Sequence, residues 1–362
     1  MLNLENKQQL RYALYFFNYR KKYKAVKELV MSNIKSTKNL CLTCVILTLS
    51  ACGGSDTKTS ETLPNPIFSL AISDAPVEEL SAVIVCFNQI QLKRSNGDII
   101  YTVSDDNIIA PNDLCLNEND EIIPDTVGVN LLEFTGSDSL NLVNNTIVEA
   151  GVYTQIRLLM SDGSYAINKK TDEKINVTVP SNELKLDGFT ATLGGIIDFT
   201  VEFDLRKGMT NPVGQSGYIL KPRGVRLVDN TEAGHITGTV SEELLSNNAN
   251  DGCLVMPEDL STSVASIYLY QNADLEISTL ADNGGNEDNQ PLASTGVKFD
   301  GEQTYHFEIG FVNAENYTIA LSCAFEDDPE DDDEVNFIEA KNVTVVTGNT
   351  PVDVHFDMTI DE

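Results

Sequence analysis

The segment Asp198–Leu205 reads DFTVEFDL. Phe199, Val201, Phe203 and Leu205 fall on one side of an extended chain, and Thr200, Glu202 and Asp204 on the other. Period-two alternation suits a strand with one apolar face and cannot place that face on one side of a helix. The same signature predicts strands at 67–72, 81–92, 153–160, 175–179 and 225–228. Gly, Asn, Asp and Pro clusters interrupt them, as in SNGD at 95–98, SDGS at 161–164 and KGMTNPVGQSG at 207–217. No long stretch after residue 52 repeats every 3.6 residues; 241–247 and 259–266 have room for a turn of helix. Further short strands are predicted at 235–240, 265–270, 305–312, 317–325, 343–346 and 352–360, a number and spacing that read as a β-sandwich. The expected class is all-β: two β-sandwich-like domains in tandem, residues 67–231 and 232–362, with the seam near Asn230–Gly234.

Ahead of these domains the chemistry changes. Met31–Cys52 holds Lys35 and Lys38, an apolar run from Leu40 to Leu49, and then Ser50, Ala51 and Cys52. That run is too short for a bilayer-spanning helix, which needs ~20 residues. A basic flank, a short apolar core and small residues before a cut site describe an export signal. Leu49-Ser50-Ala51-Cys52 resembles the lipobox of bacterial lipoproteins, in which the Cys thiol receives a diacylglycerol and the chain is cut before it. The resemblance implies a signal peptide over 31–51, a lipid attached at Cys52 and a lipidated tether over 52–66, whose composition (GGSDTKTSETLPNP) suits a flexible linker. Residues 1–30 are basic and aromatic; they are expected to be an over-extended N-terminus, with Met31 as the start. Gly53 follows the Cys where inner-membrane lipoproteins carry Asp, so the expected location is the outer membrane of a Gram-negative envelope.

Charge divides at the same place. Of 24 Lys and Arg and 55 Asp and Glu, nine and two lie in residues 1–51. The remainder carries 15 basic and 53 acidic residues, a net charge of −38. Such a surface repels nucleic acid and anionic headgroups, so contact with the membrane falls to the lipid anchor.

Two further resemblances lie in the β-rich part. Phe68-Ser69-Leu70 with Ser73-Asp74-Ala75-Pro76, Gly151-Val152-Tyr153 with Gln155-Ile156-Arg157, and Leu220-Lys221-Pro222-Arg223 are similar to a lipoprotein family known only as domain of unknown function 4382. This resemblance implies a secreted β-rich module and no activity. Asp300-Gly301, Tyr305-x-Phe307 and Tyr317-Thr318-Ile319 resemble the carboxypeptidase regulatory-like domains, which are prealbumin-type sandwiches, although Ala314-Glu315-Asn316 stands where that family has Pro-Gly-Thr. That family's module is accessory rather than catalytic.

Of seven cysteines, Cys41 and Cys44 leave with the signal and Cys52 is assigned to the lipid. Export leads to an oxidising compartment, where an even count reads as disulfides. Four cysteines allow three pairings; domain membership selects Cys86–Cys115 and Cys253–Cys323. Cys323 shares a strand face with Tyr317, Ile319 and Leu321 and is expected to point inward.

Catalytic patterns are missing: there is no G-x-S-x-G, HExxH or P-loop. His306 and His355 fall at outward strand positions, and His306 with Glu308 is HxE rather than the HxxE of a carboxypeptidase zinc site. The chain is read as not an enzyme. A sugar platform would have to use Tyr268 or Tyr270, since there is no Trp; half-buried strand aromatics are the expectation for both. Asp74 is read as an Asx-type turn residue before Pro76.

Glu326–Glu334 reads EDDPEDDDE, eight acids in nine residues, and a second acidic loop, Asp282–Asn289 (DNGGNEDN), precedes it. Ca²⁺ takes six to eight oxygen ligands, so Asp327, Asp328, Asp331 and Asp333 are candidate metal ligands, although the EF-hand pattern is absent. A like-charge run is otherwise simply solvated. Two readings follow: a lipid-anchored, non-enzymatic envelope protein that binds a protein or glycan partner or serves as structure, and a Ca²⁺-dependent surface adhesion or matrix module.

Overall fold

In the computed structural model, residues 63–358 are described apart from 76, 78, 213, 215, 325, 326, 333 and 334. The signal, Cys52 and most of the tether lie outside the described residues, as does Asp333.

The first half opens with β1 (Ile67–Ala75), β2 (Leu80–Lys93), β3 (Ile99–Thr102), β4 (Val127–Asn130) and β5 (Leu140–Ile147). Then follow β6 (Gly151–Tyr153), β7 (Gln155–Met160), β8 (Tyr165–Asn168), β9 (Lys174–Thr178) and β10 (Glu183–Leu186). It closes with β11 (Phe189–Ala191), β12 (Ile196–Asp204), β13 (Met209–Thr210), β14 (Tyr218–Leu220) and β15 (Val225–Asp229). One sheet has the order β15-β12-β1-β5, and a larger one runs β10-β7-β2-β8-β9-β14-β13 with β3 and β4 also on β2. β1 and β12 run parallel, from Ile67 beside Ile196 to Ala75 beside Asp204.

Between the sheets Phe68, Leu70 and Ile72 of β1 meet Val83, Val85, Phe87, Ile90 and Leu92 of β2 in one apolar core. The inward positions of β2 change parity after Phe87. A register irregularity between Phe87 and Gln89 in the pairing with β7 accounts for this, because one extra residue exchanges the two faces of a strand.

The second half comprises β16 (Ala233–Val240), β17 (Ser263–Gln271), β18 (Ala293–Phe299), β19 (Tyr305–Asn313), β20 (Asn316–Ser322), β21 (Phe337–Thr344) and β22 (Val352–Phe356). They form one path, β21-β20-β17-β18-β19-β16-β22, with β16 and β22 parallel. The path curls on itself. Lys341 on β21 donates to the carbonyl of His355 on β22 at 2.6 Å, so its two outer strands meet. Ile236, Ile267, Leu269, Ile319, Leu321, Phe307 and Phe356 fill the enclosed core. Glu242–Asn247 is the helical turn expected at 241–247, begun by Ser241, whose Oγ accepts from the Leu244 N–H at 3.3 Å. The stretch 259–266 is not helical: β17 starts at Ser263, where its β-branched and aromatic residues pair with β18 and β20.

The two halves form one compact unit. Glu202 and Asp204 lie on the polar side of their strand. Both are 2% exposed, because the outer face of the first sheet is covered by the second half. Alternation identifies the apolar face of a strand; a polar face can equally be buried when a polar surface covers it. Val228, Ala233 and Phe311 supply a small apolar patch in the seam.

Candidate functional site

Both disulfides join the predicted partners: Cys86–Cys115 with Cα atoms 5.8 Å apart, and Cys253–Cys323 with Cα atoms 4.5 Å apart. Cys323 is buried beside the core strand positions. The first bond has a consequence beyond stability. Cys86 lies on the face of β2 away from the main core, and Cys115 begins the segment that continues to Asp120. That segment turns through Asn117, whose Oδ1 accepts from the N–H groups of Asn119 and Glu121 at 2.9 and 3.0 Å. The bond thereby holds one wall of a cleft of about 860 Å³, inside the range of ligand sites, about 300–1,000 Å³.

Opposite that wall stand Asp162, Tyr165, Lys174, Asn176 and Asn182. The Lys174 ammonium lies 4.6 Å from the centre of the Tyr165 ring and 3.1 Å from Asp120 Oδ1, tying the strands to the disulfide-held wall. Glu118, Asp120 and Asp162 outnumber that one lysine. The lining joins amides, hydroxyls and carboxylates with one aromatic ring and the apolar Leu116, Met160, Val177 and Val179. No sequence motif marked it, because it is assembled from three distant segments; the paired cysteines were the one signal that could have pointed there.

A second constellation lies along the seam. Asp204 Oδ1 accepts from the Lys207 N–H at 3.2 Å and starts the helical turn Leu205–Gly208, while its Oδ2 accepts from the Ser294 N–H at 3.0 Å. Arg206 donates to Ser266 Oγ at 2.8 Å, and Lys207 Nζ to the Pro291 carbonyl at 2.8 Å. Glu202 faces Arg226 across β12 and β15. Burial pushes the Glu202 carboxyl up to about 8 despite Arg226, and raises Asp204 as well. Asp74 is no turn residue: it is a wholly buried position of β1, where burial, with Glu202 and Asp204 adding to it, holds its carboxyl well above the ordinary value.

The acidic run is partly turned inward. Asp327 accepts from the Tyr268 hydroxyl and from Asn283 Nδ2, each at 2.8 Å, and burial raises its carboxyl to about 6. Asp328 and Asp331 form a turn, with Asp328 Oδ1 accepting from the Glu330 N–H at 2.9 Å and the Asp328 carbonyl from the Asp331 N–H at 3.0 Å. Glu330 pairs with Lys221 of the first half. Among the described residues, no three Asp, Glu, His or Cys side chains converge as a metal-holding group.

Tyr268 and Tyr270 are not half-buried but fully so, at 0% and 1% exposure. They face away from the main core, yet the loops around Leu280 and Val335 and the start of β21 roof that face. His306 and His355 are exposed, as their strand positions predict; His355 lies 2.8 Å from Thr239 Oγ1 and 3.1 Å from Asp353. His235, which the sequence reading passed over, accepts from the Phe311 N–H at 3.3 Å.

Residues 67–222 match the family model described as Domain of unknown function (DUF4382). β15 lies beyond the matched residues yet completes the first sheet beside β12. No curated protein matches the chain. Among solved structures, it is similar to the Bacillus anthracis TIE protein at 12% identity and a TM-score of 0.16, over 81% of this chain and 50% of that one. The chain thus spans half the length of that protein. It is similar to a candidate adhesin from Bacteroides ovatus at 8% identity and a TM-score of 0.19, covering 87% and 99% of the two chains. A candidate cell adhesion protein from Bacteroides fragilis is similar at 11% identity and a TM-score of 0.18, over 83% and 94%.

Proposed function

We propose that this chain is a lipid-anchored, non-enzymatic binding module of the bacterial envelope, held at the outer membrane through Cys52, and that the disulfide-braced cleft of its first half takes a neutral glycan. The cleft carries this reading. Its amides and hydroxyls suit hydroxyl-rich ligands, and the Tyr165 ring, with the Lys174 ammonium over it, shapes the wall they would meet. Its excess of carboxylates, on a surface of net charge −38, disfavours anionic polymers. The second half is read as a carboxypeptidase regulatory-like module that stiffens the first. The test is a glycan array probed with wild type and with Tyr165→Ala. Binding of a neutral glycan that the variant loses at least tenfold supports the reading. A blank array, or equal binding by the variant, overturns it.

A further inference from the structure

The two acidic loops, far apart in sequence, meet. Gly284 and Gly285 are the contact. A Cβ on Gly284 would collide with the carbonyl oxygen of Asp331 and lie 2.7 Å from that of Asp328. One on Gly285 would collide with Asp282 Oδ1 and lie 3.1 Å from Asp332 Oδ1. Two carboxylates and two carbonyl oxygens are thus gathered round one corner of backbone, where only glycine leaves room.

Asn283 supplies an independent observation. It is 0% exposed. Its N–H and Nδ2 both donate to Asp327, at 3.2 and 2.8 Å, which turns the amide toward the facing loop. Its Oδ1 is buried there without a hydrogen-bond partner. An unmatched buried carbonyl oxygen is costly, about 1–3 kcal/mol, and it lies in a seam between two runs of like charge that repel one another. One ligand answers both costs: a cation that accepts amide, carbonyl and carboxylate oxygens together.

We infer that the seam between Asp282–Gly285 and Asp328–Asp332 binds Ca²⁺, with Asp282 and Asp332 as carboxylate ligands, Asn283 Oδ1 as the amide ligand, and the carbonyls of Asp328 and Asp331 beside them. The set differs from the one the acidic run alone suggests. Asp327 is occupied with Tyr268 and Asn283 and positions the amide, and three of the five ligand groups are not carboxylates. A mixed oxygen set with flexible geometry suits Ca²⁺; Mg²⁺ demands a tighter octahedron and gives up its water reluctantly. Affinity in the range of extracellular modules, roughly 10⁻⁴–10⁻³ M, is the expectation. This inference is independent of the glycan cleft.

The experiment uses the full-length protein in detergent. Thermal melts are run with CaCl₂ up to about 100 mM, one hundred times the expected dissociation constant, with MgCl₂ and with NaCl at matched ionic strength, and Tb³⁺ luminescence is excited through Tyr268 and Tyr270, which lie beneath the loops. Ca²⁺ should raise the midpoint by about 5 °C at one hundred times its dissociation constant, Mg²⁺ by less and Na⁺ by little, and Ca²⁺ should displace Tb³⁺. Asp332 is exposed, so Asp332→Asn keeps the fold and should lose at least tenfold in affinity. Glu302→Gln, on a distant turn, should titrate as wild type. A gain reproduced by Na⁺, an unchanged Asp332→Asn titration, or an equal loss in Glu302→Gln overturns the site.

Discussion

Asp204 of the first half accepts a 3.0 Å hydrogen bond from the backbone N–H of Ser294 in the second, and both residues are buried. Its other oxygen starts the helical turn that carries Arg206 and Lys207 across the seam. One carboxylate therefore shapes a turn on its own side and satisfies a donor on the other. Asp204→Ala should leave the Ser294 N–H buried without its partner and remove a helix cap. The expected loss is about 2–4 kcal/mol, from roughly 1–3 for the unmatched donor and ~1 for the cap. Urea titration read by tyrosine fluorescence measures it. A change under 1 kcal/mol would mean that the seam relaxes and lets water in.

The buried acids give the protein a pH dependence with a definite sign. Glu202 holds its proton up to about 8 in the folded chain, against an ordinary value of 4.5. The unfolded chain therefore releases that proton first as pH rises. The stabilisation is complete below about 4.5 and is lost as pH climbs through 8. Asp327, raised to about 6, acts in the same direction over a lower range. Melting midpoints should fall between pH 5 and pH 8.5, and Glu202→Gln should flatten that fall, since its amide is neutral throughout. A wild-type midpoint that stays level or rises across this interval would contradict the assignment.

These effects mark where the sequence could be read and where it could not. Phe199, Val201 and Phe203 announced β12 and its core face, because apolar alternation follows directly from the pleat. Thr200, Glu202 and Asp204 gave no sign of burial, since their polar partners come from elsewhere in the chain: Asn230 for Thr200, Arg226 beside Glu202, and Ser294 for Asp204. Tyr268 and Tyr270 failed for the same reason: their roof is made of loops, and loops carry no periodicity. The disulfides were legible because compartment and domain membership reduce three pairings to one. The cleft was not, as its walls come from three separate segments.

Cys253–Cys323 closes a separation of 70 residues and fastens the segment after the Glu242–Asn247 helix to the end of β20. On the chain-entropy model a loop of that size contributes ~4 kcal/mol. Cys253→Ala with Cys323→Ala should lower stability by about 2–5 kcal/mol. Cys86→Ala with Cys115→Ala should add a functional effect by freeing the Leu116–Asp120 wall, so glycan binding should weaken more than in the first pair at matched folded fraction. Equal binding by the two double variants would show that the wall needs no brace.

The anchor is tested separately from the fold. Leu49-Ser50-Ala51-Cys52 after a short apolar run motivates it, and one chain alone holds a protein only marginally, so stable attachment requires the multiple acylation that lipoproteins carry. A palmitate analogue should label the wild-type protein in cells and leave Cys52→Ser unlabelled. Label retained by the variant, or wild-type protein cleaved and free of the membrane, would remove the anchor from the proposal.

The backbones of the two halves touch at Gly310 on β19 and Gly136 in the first half: a Cβ on Gly310 would collide with the Gly136 carbonyl. Beside that contact Glu308 Oε1 accepts from the Ser137 N–H at 2.7 Å. No side-chain rotation can relieve a clash between two backbones, so Gly310→Ala must push the seam open. The expected cost is about 1–3 kcal/mol, the range for overpacking, and opening the seam should expose Glu202 and Asp204 to water. Hydration lowers their raised protonation ranges, so Gly310→Ala should lose part of the pH dependence described above along with stability. Glu308→Gln, which keeps an acceptor for Ser137, should cost little and leave the pH profile intact. The two variants measured from pH 5 to pH 8.5 separate a rigid seam from a compliant one: if Gly310→Ala melts like wild type at every pH, the halves do not depend on that backbone contact.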